Sequence, residues 1–245
     1  MEISLAAEKI GHIGSFPVTN SMVLSWIASI ILMISSLLAT KNLKKIPAGI
    51  QNFFEAIVEF LFNTADSIIG DEKVTKKYFP FVATIFIFII TNNWLGLVPG
   101  VGTIGINEIK DGHNILVPIF RSGAADLNMT LALAITAVIA VQIFGVAAIG
   151  TFKYASKFIN FKGPINFFVG ILELLSEFSR MISFSFRLFG NVFAGEVLLM
   201  VVASIAPLVA PIPFFMLELF VGFIQATVFA MLTLVFIKTA TTEAH

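Results

Sequence analysis

The chain has 245 residues, 58% hydrophobic and only 12% charged, with 15 basic and 15 acidic side chains that cancel at neutral pH. A mean hydropathy of +0.97 excludes an ordinary soluble domain of this length, which would expose far more charge. Zero net charge speaks against a nucleic-acid partner, and the lack of cysteine excludes disulfides and thiolate metal sites.

The N-terminus has no basic stretch leading into a short apolar core, so no cleavable signal is expected. A helix needs about 20 apolar residues to cross about 30 Å of hydrocarbon. The first such run is 21–39, with Trp26 near its outer end. Residues 50–69 behave differently. Ile50, Phe53, Phe54, Ile57, Val58, Leu61, Ile68 and Ile69 recur at helical spacing, while Gln51, Glu55, Glu59, Asn63 and Asp66 take the opposite face. This pattern predicts an amphipathic helix at the membrane surface. Its polar face is acidic rather than basic, which suits contact with another subunit as well as with lipid.

The second span is 81–98, opened by Pro80 at a first-turn position where a missing N–H costs little. Asn92 and Asn93, beside Trp94 and Pro99, read as the interface end of that helix. The third span is 127–152, with Asp126 and Asn128 as N-cap candidates rather than ion ligands. Two more runs, 165–206 and 214–237, are separated by Pro207, Pro211 and Pro213. The fold class is an all-α integral membrane protein. Five membrane segments and one surface helix make a single membrane domain over 1–245, the last two segments forming a long tilted helical hairpin. No internal repeat or linker is evident, and the loop 100–125 is the longest outer connection.

Lysines set the orientation. Lys41, Lys44 and Lys45 follow the first span, Lys73, Lys76 and Lys77 precede the second, and Lys153, Lys157 and Lys162 follow the third. All fall on one side, which is therefore the cytoplasmic one, and Lys238 joins them. Lys9, Lys110 and Arg121 lie opposite. The N-terminus is expected outside and the C-terminus inside.

Two basic residues belong to no loop. Arg180 and Arg187 sit inside the fourth segment with Glu173, Glu177 and Glu196, and Glu218 lies in the fifth. An ionisable group at membrane depth costs several kcal/mol, so it persists only with a partner, water access or a function. At about 100° per residue, Glu173, Glu177, Arg180, Arg187 and Asn191 share a stripe roughly 80° wide, bordered by Ser176 and Ser183, while Glu196 points away. Glu218, Gly222, Gln225 and Phe229 share a face of the fifth segment. Run as one helix, 165–206 would measure about 60 Å, twice the bilayer, so it must tilt, bend or project into water. Glu173, Glu177 and Arg180 are spaced to form a structural ion-pair network. Arg187 has no acidic residue three or four positions away, so its counter-charge must come from elsewhere.

Residues 183–192 read SFSFRLFGNV, followed by Ala194-Gly195-Glu196 and, later, Gln225. This resembles the signature of the a subunit of F-type ATP synthases, and TNNWLGLVP at 91–99 and DLNMTLALA at 126–134 are similar to that family's second and third spans. The resemblance covers nearly the whole chain. It departs in one respect: many relatives carry histidine at the position of Glu196 or Glu218, or a small residue at one of them, whereas both are glutamate here, so no imidazole relay within the segments is available.

The resemblance implies a non-catalytic stator subunit pressed against a rotating ring of c subunits, with peripheral-stalk b subunits and other ATP synthase subunits as partners. Two half-channels would carry H⁺ or Na⁺ to and from the ring in a bacterial plasma membrane. Arg187 would be the central residue, Asn191 and Gln225 would hydrogen-bond near it, and Glu196 and Glu218 would line the outer half-channel. Glu173, Glu177 and Arg180 would border the inner half-channel or form a structural network. No cofactor or metal is implied. A self-contained channel or secondary transporter is the alternative, but such folds often show repeated halves. An intramembrane enzyme would need a spanning histidine, a cysteine or an HExxH pattern. No GxxxxGK[ST] loop occurs, so ATP chemistry would belong to partner chains.

Overall fold

A computed structural model describes residues 6–41, 49–110, 113–158, 163–207 and 209–242. Lys44, Lys45, Lys162 and His245 lie outside the described residues. Seven helices follow in order: Asn20–Thr40 (α1), Ile50–Ile69 (α2), Glu72–Gly96 (α3), Leu127–Ile149 (α4), Thr151–Phe158 (α5), Pro164–Ile205 (α6) and Pro211–Thr241 (α7). Five of them, α1, α3, α4, α6 and α7, are long and apolar enough to cross a membrane. The all-α membrane architecture with five spans and one amphipathic helix is as the sequence implies.

Helix bounds differ from the expected spans at α3, at α4 and at α7, which runs Pro211–Thr241 rather than 214–237. α3, the second spanning helix, begins at Glu72, capped by Asp71, whose Oδ1 accepts from the Lys73 and Val74 amides at 2.9 and 3.3 Å. Pro80 therefore lies inside α3 rather than in its first turn. The cap extends the helix backwards through Lys73, Lys76 and Lys77, whose long polar side chains reach interfacial water. α4, the third spanning helix, stops at Ile149, where Gly150 adopts φ 93° and turns the chain into α5. Asp126 caps α4 by accepting from the Asn128 amide at 2.9 Å, so Asn128 is the recipient of the cap and not a second one.

α2 packs one edge, Leu61, Ala65 and Ile69, into the core and leaves Glu55, Glu59 and Asn63 exposed. It ends at Gly70, whose left-handed φ of 69° lets its amide bond the Asp66 carbonyl at 2.7 Å. The core runs along α3, α4, α6 and α7 through Val82, Ile89, Leu188, Leu234 and Ile237. Phe184 on α6 sits 4.8 Å from Phe229 and 5.5 Å from Phe236 on α7. Asn93 and Trp94 on α3 donate to the Gly222 and Leu219 carbonyls of α7, each at 3.1 Å. Small residues allow these close approaches, as is usual between helices in lipid: a methyl group on Gly222 would lie 3.2 Å from Asn93 Cβ.

Two antiparallel hairpins, one of them within the loop expected at 100–125, gather at one end. Lys9–Ile13 (β1) pairs with Phe16–Thr19 (β2), and Gly105–Lys110 (β3) with His113–Pro118 (β4). Asn20 Nδ2 donates to the Pro118 carbonyl at 3.2 Å and Ser21 Oγ to Asp126 Oδ2 at 2.7 Å, tying α1, the second hairpin and α4 together. At the other end, Lys238 Nζ donates to the Ile69 carbonyl at 2.6 Å. The described ends of the chain therefore lie at opposite ends of the bundle.

Candidate functional site

α6 is continuous for 42 residues, so its polar stripe passes through three surroundings. At the end nearest α5 the stripe is covered. Glu177 is buried and pairs with Arg180, whose guanidinium lies 4.5 Å from the ring centre of Phe236 on α7. Glu173 pairs with Lys157 of α5 at 2.9 Å rather than with Arg180, because α5 crosses this part of α6. In place of one network of Glu173, Glu177 and Arg180, two pairs stand side by side, and Lys157, which the sequence placed among the loop lysines, belongs to one of them.

Tyr154 of α5 completes this end. It is buried over Gly145, where a methyl group would stand 2.4 Å from its ring, and its hydroxyl donates to Gln142 Oε1 at 2.6 Å. Burial, with Glu177 and Glu173 nearby, pushes its pKa up from 10.0 to about 12, so the hydroxyl stays protonated.

Midway along α6 the stripe is uncovered. Arg187 is exposed, together with Ser183, Phe186, Gly190 and Asn191, and no other part of the described chain lies over this face. Arg187 Nη2 donates to Ser183 Oγ at 3.3 Å, and among the described residues it forms no ion pair. Asn191 Nδ2 donates to the Arg187 carbonyl at 2.9 Å, so it braces the backbone rather than the guanidinium. Gln225 on α7 lines a crevice of about 10 Å³ with Arg187, Phe184, Leu188 and Phe229.

Beyond Arg187 the opposite face of α6 lines a chamber of about 810 Å³, bounded by α3, α7 and the segment after α3. Glu196 from α6 and Glu218 from α7 both line it, as do Asn93, Ser122 and Gly222. Most of its wall is apolar, including Leu199, Met200 and Phe215. Glu218 is buried against Gly195, and Asn93 Oδ1 is buried without a hydrogen-bond partner among the described residues.

Arg121, which the sequence places in the outer connection, is buried there: it is 6% exposed and pairs with Glu196 at 3.2 Å. The signal for this is its setting, RSGAAD at 121–126, where small residues allow the chain to pack closely. Gly123, Ala124 and Ala125 are all buried, and a methyl group on Gly123 would lie 2.2 Å from Ser25 Oγ.

Comparison with known proteins bears on this arrangement. The family model for the ATP synthase A chain matches residues 22–238. ATP synthase subunit a of Campylobacter jejuni is 34% identical over 224 residues, covering 89% of each chain. That of Campylobacter fetus is 33% identical over 242 residues, covering 98% of this chain and 96% of the relative. That of Geobacter sulfurreducens is 33% identical over 229 residues, covering 92% and 89%. The matched region takes in the uncovered arginine, both chamber glutamates and nearly all of the five spans, and the chain belongs to the ATP synthase subunit a family.

Proposed function

We propose that this chain, a non-catalytic membrane subunit of a bacterial ATP synthase, forms two ion half-channels against a ring of c subunits. It thereby couples passage of H⁺ or Na⁺ to rotation of that ring. The observation that carries this reading is Arg187, a cation at mid-length of a spanning helix with no ion-pair partner among the described residues. An isolated charge at such a depth costs several kcal/mol unless a partner outside the chain supplies the anion. A membrane-embedded carboxylate on each ring subunit would do so.

The guanidinium suits that task. A guanidinium keeps its charge in low dielectric, where a lysine can lose its proton. It favours the ionised form of a carboxylate facing it, so a ring site releases its ion there. It also repels a cation attempting to cross directly from one half-channel to the other. The exposed neighbours Ser183, Gly190 and Asn191 are small or polar and leave room for a helix to pass.

The chamber holding Glu196 and Glu218 serves as the outer half-channel in this reading, with carboxylates able to take up an ion from water and hand it on. The cluster of Lys157, Glu173, Glu177 and Arg180 borders the inner one or braces α5 against α6. The peripheral-stalk b subunits are further partners, and the exposed acidic face of α2 is available to another subunit. The protein spans the plasma membrane several times, with the N-terminus outside and the C-terminus in the cytoplasm.

The test is Arg187→Ala in the whole complex. ATP-driven ion uptake into inverted vesicles should fall below a tenth of normal, while a ring-forming small proteolipid still copurifies with the chain in mild detergent. Uptake at half the normal rate or more overturns the proposal.

A further inference from the structure

The two chamber glutamates stand in different electrostatic settings. Arg121 Nε lies 3.2 Å from both carboxylate oxygens of Glu196, and its Nη1 donates to the Ala6 carbonyl at 3.2 Å. The guanidinium lies 5.7 Å from the centre of the Phe193 ring, which covers its face. Arg121 itself lies behind the chamber wall, and Glu196 is the part of the pair that lines it. Glu218 enters from α7 with its carboxyl against the backbone of Gly195. Among the described residues it has neither an ion pair nor a hydrogen-bond donor.

This difference bears on which group can exchange an ion. A guanidinium does not lose its charge, and when buried it needs an anion beside it. Binding a proton or Na⁺ on Glu196 would neutralise that anion and strand Arg121, with the Ala6 carbonyl and the Phe193 ring as its remaining contacts among the described residues. Binding one on Glu218 strands nothing.

We infer that Arg121 holds Glu196 as a fixed carboxylate and that Glu218 alone takes up and releases the ion in the outer chamber. The inference rests on the outer half-channel reading above and divides the roles of its two carboxylates. Arg121 is a positioning residue, Glu196 a fixed charge in the wall, and Glu218 the exchanging group. Apolar side chains such as Leu199 and Phe215 then leave the ion few places to stop other than Glu218.

The experiment compares Arg121→Gln, the double variant Arg121→Gln with Glu196→Gln, and Glu218→Gln, each in the intact complex in inverted vesicles. ATP-driven uptake is measured with a pH-sensitive dye in sodium-free buffer and with radioactive sodium in a buffered medium. Rates are divided by the amount of assembled complex. The double variant keeps the summed charge of the pair at zero, so it should transport at half the normal rate or better. Arg121→Gln alone leaves Glu196 without its partner and should transport at no more than a third of the double variant's rate. Arg121→Lys should restore at least half. Glu218→Gln should fall below a tenth.

A double variant that assembles but transports below a tenth shows that Glu196 exchanges the ion itself, and the inference is overturned while the half-channel reading stands. Normal transport by Glu218→Gln overturns both. If glutamines at these positions block assembly, the apolar pair Arg121→Met with Glu196→Leu gives the same comparison, because well-packed apolar residues can replace a buried ion pair.

Discussion

Gly195 on α6 and Glu218 on α7 meet so closely that a methyl group on the glycine would stand 2.0 Å from the carboxyl carbon. The missing side chain makes the seat in which the carboxyl rests. Gly195→Ala should therefore displace the Glu218 carboxyl or push the two helices apart. The expected outcome is a loss of at least five-fold in ATP-driven ion uptake per assembled complex, with the helices still inserted. A normal rate in this variant would show that the position of the carboxyl is immaterial.

Arg187→Lys keeps a positive charge but exchanges a flat fork of donors for a compact ammonium that can lose its proton in low dielectric. Its uptake rate should stay below about a fifth of normal, close to that of Arg187→Ala. Ser183→Ala removes the one side-chain hydrogen bond the guanidinium makes within the described chain, at 3.3 Å. That bond is long and exposed, so its loss should cost less than about 0.5 kcal/mol and less than a two-fold change in rate. Rates measured side by side under saturating ATP would separate the two.

Tyr154 gives a pH dependence with a definite sign. Its pKa is about 12 in the folded chain against 10.0 for a free tyrosine. The folded state therefore holds the phenolic proton more tightly than the unfolded one. The stability this contributes is complete below pH 10, is lost progressively as pH rises through the folded pKa, and is gone above it. Tyr154→Phe abolishes that dependence and leaves Gln142 Oε1 without its donor, at a cost of about 1–3 kcal/mol. Thermal unfolding of the detergent-solubilised protein, followed from about pH 8 upward, should show the gap between the two proteins narrowing as the pH climbs.

Orientation is tested by chemical labelling. Lys76 and Lys9 are both exposed, near opposite ends of the bundle. Lys76→Cys should react only with an impermeant thiol reagent supplied from the cytoplasmic side, and Lys9→Cys only with reagent from outside. The chain has no other cysteine to confuse the result. The reverse pattern would exchange the inner and outer half-channels.

Much of this was legible in the residue pattern. Runs of some 20 apolar residues can cross lipid only as helices, because every backbone amide must find its partner inside the segment. The spans therefore followed from composition, and the pair Glu177–Arg180 followed from helical spacing. Hairpin signals were present at Gly14-Ser15 and Asp111-Gly112 but short, and a two-stranded ribbon is marginal by itself. Helix ends differ by several residues because capping outweighs proline near a terminus: capped by Asp71, α3 starts at Glu72, eight residues before Pro80.

The sequence by itself determined the solvent, the number of spans, the side bearing the lysines and the lone position of Arg187. These depend on local chemistry and on a periodicity that one helix imposes on itself. Only the tertiary structure decided which charges meet. Arg121 reaches Glu196 across 75 residues, Lys157 of α5 takes Glu173, and Gly195 of α6 admits the carboxyl of Glu218 from α7. Nothing in spacing along the chain encodes such encounters, because they are set by how closely small residues let separate helices approach. For the same reason Arg187 was conspicuous in the sequence, whereas the difference between Glu196 and Glu218 emerged only when the helices were packed.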